Sequence, residues 1–110
     1  MIMCRFKKLC HTDQGYVVRC NRCRHIHIAF GTVILAYTQD QYHDFVRMIK
    51  EQHQLHKDHC CRDQKIIQIP TDARSITLAY TATELEKLCR LLDKTSDAMD
   101  KEQLFSFNEN

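Results

Sequence analysis

The chain has 110 residues, a formal net charge of +2 and seven cysteines, a length that suits one domain with a modest core. Its longest apolar run, Thr32 to Tyr37 and neighbours, falls far short of the ~20 residues of a membrane-spanning helix. The only two glycines, Gly15 and Gly31, are too few for phosphate-cradling loops, dinucleotide fingerprints or a nucleophile elbow. The N-terminus, Met1 to Lys8, lacks the apolar core and cleavage site of a secretory signal. A cytoplasmic location is therefore expected, where disulfides are rare and clustered cysteines point to metal or redox chemistry.

In chain order, an N-terminal extension leads into a strand over roughly Tyr16–Cys20. The run Cys20-Asn21-Arg22-Cys23-Arg24-His25 then forms a C-x2-C knuckle between β-like segments. Ile26, Ile28 and Phe30 alternate with His25, His27 and Ala29, and Gly31-Thr32 permits a turn into Val33–Tyr37. Thr38 with Gln41 three residues on predicts a capping box, and Tyr42, Phe45, Val46 and Ile49 recur at helical spacing. After a His/Cys-rich linker, Lys65–Ile69 leads through Pro70–Arg74 into Ser75–Tyr80. Thr81 with Glu84 repeats the cap, and Leu85, Leu88, Cys89 and Leu92 repeat the apolar stripe. With Met99 in phase and no Gly or Pro after Ser96, the second helix continues beyond it. Leu104, Phe105 and Phe107 are expected to dock on the core in preference to forming an exposed patch.

Leu35-Ala36-Tyr37-Thr38 recurs as Leu78-Ala79-Tyr80-Thr81, and the caps and apolar stripes follow at the same offset of 43 residues. A β-hairpin plus helix therefore occurs twice within one domain, 1–110. Residues 1–54 form the knuckle-bearing unit, 55–64 the linker and 65–110 the second unit. Neither unit can bury its apolar face alone. The predicted fold class is α+β, the hairpins joining in one antiparallel sheet with both helices on one face. Two separate small sheets would explain the repeat equally well. His25, His27 and Thr77 suggest that the uncovered face is polar.

Zinc takes four soft donors in tetrahedral array, and the knuckle supplies Cys20 and Cys23. Cys4 and Cys10 upstream complete a Cys4 site, with His11, His25, His59 or Cys60 as substitutes. Buried free thiols are the alternative reading, and a redox role is weaker because the motif joins strands instead of opening a helix. His53, His56, His59, Cys60 and Cys61 form a second cluster, in which adjacent Cys60 and Cys61 are not expected to point at one ion. Folded back, the linker would instead lend the knuckle a ligand through His59, Cys60 or Cys61, although a polar helix end is the better reading of this cluster. Cys89 should face the core.

Arg5, Lys7, Lys8, Arg19, Arg22 and Arg24, with Phe6 and Tyr16 among them, could contact phosphates and stack a base. Residues 1–30 carry these six cations against one acidic residue, Asp13. Since basic residues also offset zinc-bound thiolates, nucleic acid is possible but not favoured. The two short units offer no obvious cleft for a cysteine nucleophile with its base, and an enzyme is not expected. The favoured reading is a zinc-stapled interaction or regulatory module whose free sheet face or edge receives a protein partner or a second copy. Metal or redox sensing is a further alternative, and no membrane partner is expected.

The run Gly15 to Cys23, followed by Ala29-Phe30-Gly31-Thr32 and Ile69-Pro70-Thr71, resembles a small bacterial family known only as a domain of unknown function. The similarity extends over nearly the whole chain, the C-x2-C and A-F-G-T being its most specific parts. It implies a compact cytoplasmic protein that keeps the knuckle, and no activity, substrate or partner.

Overall fold

The computed structural model describes residues 5–108, with side chains through Leu104. Six strands and two helices follow in the order β1 (Phe6–Thr12), β2 (Gly15–Cys20), β3 (Ile26–Phe30), β4 (Val33–Tyr37), α1 (Gln39–His56), β5 (Ile67–Pro70), β6 (Thr77–Tyr80) and α2 (Ala82–Asn108). The fold is α+β. Its strands divide into an antiparallel sheet of order β1-β2-β3-β4 and a separate β5-β6 hairpin, so the single sheet is replaced by two. Phe30 and Tyr80 pack edge to face between them, and Tyr37 lies close enough to Tyr80 to perturb it electrostatically. The sheets thus meet through buried rings instead of a backbone ladder.

The two hairpin-helix units follow one plan. Ile26 faces Tyr37 and Ile28 faces Leu35 in the first ladder, as Ile67 faces Tyr80 and Ile69 faces Leu78 in the second. Gly31 holds φ 62°, a value that suits glycine at the first position of a two-residue hairpin turn. Thr38 Oγ1 accepts the Gln41 N–H at 3.2 Å while Gln41 Oε1 accepts the Thr38 N–H at 2.9 Å. Thr81 and Glu84 exchange the same pair of bonds at 3.0 and 2.9 Å. Each satisfies two backbone donors that a helix start leaves over.

Alternation along the strands sets two faces. Val17, Ile28 and Leu35 form one row toward the helices, and Arg19, Ile26 and Tyr37 the next. Tyr42, Phe45 and Ile49 of α1 and Leu85, Leu88, Leu91 and Leu92 of α2 close the core, with Cys89 buried beside them. The second helix continues past Ser96, and Met99 packs on the core. Leu104 does not dock: it is 64% exposed, while the side chains of Phe105 and Phe107 lie outside the described residues.

The N-terminal extension is itself a strand, β1, which alternation did not reveal. The ladder slips between Lys8 and Cys10, so buried Leu9 and partly buried Cys10 are neighbours where alternation demands one in and one out.

Candidate functional site

The knuckle is a tight turn between β2 and β3. Cys20 Sγ accepts the Cys23 N–H at 3.4 Å, and the Cys20 carbonyl accepts the Arg24 N–H at 3.0 Å. Arg24 holds φ 67°, a left-handed conformation uncommon for any residue but glycine, so this loop stores local strain. The Cys20 N–H donates to the His25 carbonyl at 2.9 Å and the Asn21 N–H to the Arg5 carbonyl at 2.7 Å, which tie the turn to the starts of β3 and β1. Cys20 is fully buried and Cys23 exposed.

The structure does not bring Cys10 to this turn. Cys10 pairs with Val17, three residues from Cys20, about 10 Å along the strand and on the opposite face. It packs against the core instead. His11 pairs with Tyr16, farther still. Cys4 lies outside the described residues. His25 remains beside the turn, half-buried.

The linker lies elsewhere. The Thr83 N–H donates to the Arg62 carbonyl at 3.4 Å, and Arg62 pairs with Glu86 at 2.5 Å, on the first turns of α2. The knuckle adjoins the other end, where Arg19 meets Glu102 at 2.6 Å. From Glu86 to Glu102 the helix rises about 24 Å. His59 and Cys60 therefore do not serve as knuckle ligands here. Their own neighbourhood is compact: one donor atom from each of His59, Cys60 and Cys61 lies within 4.8 Å of the others, and the two sulfurs are 3.8 Å apart. The expectation that adjacent cysteines cannot converge is corrected by this turn.

The six cations separate into two groups. Lys7 and Arg19 face the helices and share Glu102, at 2.9 and 2.6 Å. The Arg19 bond, with Lys7 assisting, holds the Glu102 carboxyl below its ordinary range against the opposing effect of burial. Arg5, Lys8, Arg22 and Arg24 are exposed and make no ion pair among the described residues. A cleft of about 340 Å³ separates the knuckle from the start of α1, with Arg24, His43, Asp100 and Glu102 on its walls. Its mixed charges favour neither anion nor cation.

The uncovered face of the large sheet was expected to be polar, and the structure corrects this. His11, Tyr16, Ala29 and Ile34 form one row across it and Lys8, Val18, His27 and Ala36 the next. Phe6 lies over His27 with ring centroids 5.0 Å apart. Phe6, Tyr16 and Ile34 are 48%, 36% and 61% exposed. The polar forecast rested on His25, His27 and Thr77, and the missed strand β1 supplied Phe6. Ile34 was legible as the odd residue of Val33–Tyr37, whose parity puts it opposite Leu35.

Strand edges differ in the same way. β1 carries Lys7, Lys8 and a bulge, devices that discourage pairing with another chain. β4, Val33-Ile34-Leu35-Ala36-Tyr37, has no charge and no proline, and among the described residues its second edge has no backbone partner.

These features define a small α+β domain with an open antiparallel sheet, helices on one face and a cysteine knuckle at one end. The chain belongs to a family of unknown function, DUF6686, which matches residues 2–109. No curated protein matches it, and no solved structure does. Among the described residues no helix is long and apolar enough to cross a membrane.

Proposed function

We propose that this protein is a small cytoplasmic interaction module that pairs through β4 with a second copy of itself. The observation that carries this reading is the open, uncharged β4 edge beside exposed Ile34 and Ala36. An unpaired edge offers a row of backbone donors and acceptors, and an edge without charge has nothing to repel an identical strand. A two-fold axis near Leu35 sets Ile34 of one copy opposite Ala36 of the other, an isologous contact that closes at the dimer. The paired sheets then present one continuous outer face.

The two-residue turn makes Phe30 and Val33 the hydrogen-bonded closing pair, so Leu35 and Tyr37 direct their N–H groups to β3, whereas Ile34 and Ala36 direct theirs outward. Ala36→Pro removes an outward donor and spares the internal ladder. Sedimentation of the purified chain over a wide concentration range tests the reading. Concentration-dependent dimerisation that Ala36→Pro abolishes, with the circular-dichroism spectrum unchanged, supports it. A wild-type monomer at every concentration contradicts it.

A zinc ion held by Cys20 and Cys23, with Cys4 and His25 as the remaining donors, is part of the same proposal. The Cys20 sulfur that accepts the Cys23 N–H supports it, since that bond bends the C-x2-C segment back on itself as a two-cysteine metal knuckle requires. This ion would staple the knuckle end of the sheet and supplies no reaction. Exposed thiols at Cys23, Cys60 and Cys61 fit a reducing compartment.

A second reading, single-stranded nucleic acid on the outer face, is favoured by one observation. Phe6, Tyr16 and His27 share that face with Lys8, and Arg5, Arg22 and Arg24 stand at its end without acidic partners. Stacking rings with free cations suit bases and phosphates. Binding of a single-stranded oligonucleotide that weakens steeply with salt and is lost in Phe6→Ala supports this second reading. Binding that ignores salt contradicts it.

A further inference from the structure

The strongest unassigned chemistry in the molecule lies where α1 ends and the linker begins. We infer that His56, His59, Cys60 and Cys61 form a second metal site, an exchangeable Cys2His2 zinc site independent of the knuckle and of β4 pairing.

The spacing of the donors carries the inference. Two thiolates bound to one zinc at about 2.3 Å and the tetrahedral angle lie about 3.8 Å apart. The sulfurs of Cys60 and Cys61 are 3.8 Å apart before any ion is bound. His59 offers its donor within 4.8 Å of both, and its Nδ1 now accepts the Cys61 N–H at 3.0 Å. That lone pair would pass from the N–H to the metal.

His56 supplies the fourth donor. Its Nδ1 lies 2.9 Å from the Gln52 carbonyl, which can only accept, so Nδ1 carries the proton and Nε2 keeps its lone pair. A ring N–H anchored on a carbonyl is how ligating histidines are oriented for a metal. The His56 and His59 ring centroids are 6.4 Å apart, whereas two imidazoles on one tetrahedral zinc require about 5 Å. The two rings would therefore have to approach by about 1.4 Å for His56 to join the three donors that already lie together.

The fold explains why the donors gather. The His59 N–H donates to the His56 carbonyl at 3.1 Å and so continues the helix end as a tight turn. The C-terminal end of a helix favours a cation, and two thiolates neutralise a divalent one. Cys60 and Cys61 are exposed and both histidines half-buried, so an ion here exchanges with solvent. Binding displaces the two thiol protons, one from each cysteine, and leaves both imidazoles neutral. The occupied site would fix the linker that joins the two hairpin-helix units.

The test is cobalt(II) titration of the reduced, metal-stripped full chain, followed by zinc displacement, in wild type, Cys60→Ser/Cys61→Ser and Cys20→Ser/Cys23→Ser. The inference requires a tetrahedral cobalt spectrum with thiolate-to-cobalt absorption that loses one equivalent in Cys60→Ser/Cys61→Ser. It also requires at least a tenfold weaker affinity of that equivalent in His56→Ala. If Cys20→Ser/Cys23→Ser folds, it retains the site. If it does not, the drop by one equivalent in the surface variant decides alone. Identical cobalt binding in wild type and Cys60→Ser/Cys61→Ser overturns the inference, whether the knuckle binds metal or not.

Discussion

Phe30 at the end of β3 and Tyr80 at the end of β6 meet edge to face, their ring centroids 5.7 Å apart and their planes at 81°. Both are at least nine-tenths buried, and the contact joins two sheets that share no backbone ladder. Such a pair contributes about 0.5–1.5 kcal/mol beyond the area it buries. A double-mutant cycle of Phe30→Leu and Tyr80→Leu, measured by urea unfolding, should return a coupling in that range. Additive variants would mean that the sheets cohere through other contacts.

Gly15 begins β2 directly against β3. A Cβ there would lie 2.0 Å from the Ala29 carbonyl oxygen, which is backbone and cannot rotate away. Gly15→Ala should therefore force the β2-β3 ladder apart and destabilise the protein by about 1–3 kcal/mol. Gly31→Ala is different: open space surrounds the added carbon, and only its positive φ opposes the change. Thermal unfolding of the two variants should show the larger loss for Gly15→Ala.

Acid stability depends on the α2 end. Arg19 and then Lys7 depress the Glu102 pKa below its ordinary value in the folded protein. A depressed carboxyl contributes stability that is present above the unfolded pKa, about 4.3, and is lost as pH falls through the lower folded value. Urea midpoints followed from neutral to acid pH should fall less steeply in Glu102→Gln than in wild type.

Alkali should act on the core. Burial raises the Tyr42 phenol to about 12, and burial with the nearby Glu84 and Tyr37 raises Tyr80 to about 12. The stabilisation held by each neutral phenol is complete below the ordinary value of 10.0 and disappears as pH rises toward the folded value. Phenolate absorbance should therefore develop in two phases, the later one together with unfolding. Tyr42→Phe should remove part of that late phase.

The knuckle proposal has a direct readout. Elemental analysis of protein purified without added metal should find zinc that is lost, together with folded stability, in Cys20→Ser and Cys23→Ser. Cys10→Ser should keep the ion, because the sheet holds that side chain on the opposite face.

The hairpins, the caps and the stripes of both helices were legible because local rules determine them. Thr38 with Gln41 and Thr81 with Glu84 announce helix starts whatever surrounds them. Strand β1 was not legible, because the bulge at Leu9 breaks the alternation that marks a strand. That omission also made Cys10 look like a ligand and left Phe6 off the sheet face. Division into two sheets depends on the packing of Phe30, Tyr37 and Tyr80 across long sequence separations, which no local pattern encodes. The approach of the Cys60 and Cys61 sulfurs was missed because it arises from the turn after α1 and not from their adjacency.

Amide hydrogen exchange at Ile34 and Ala36, followed as protein concentration rises, tests the pairing of β4 most directly. Fast exchange in dilute solution and protection that grows as the mass doubles are the expected result, since these are the donors a second copy would engage. If both amides exchange as an open edge at every concentration, β4 is not the interface.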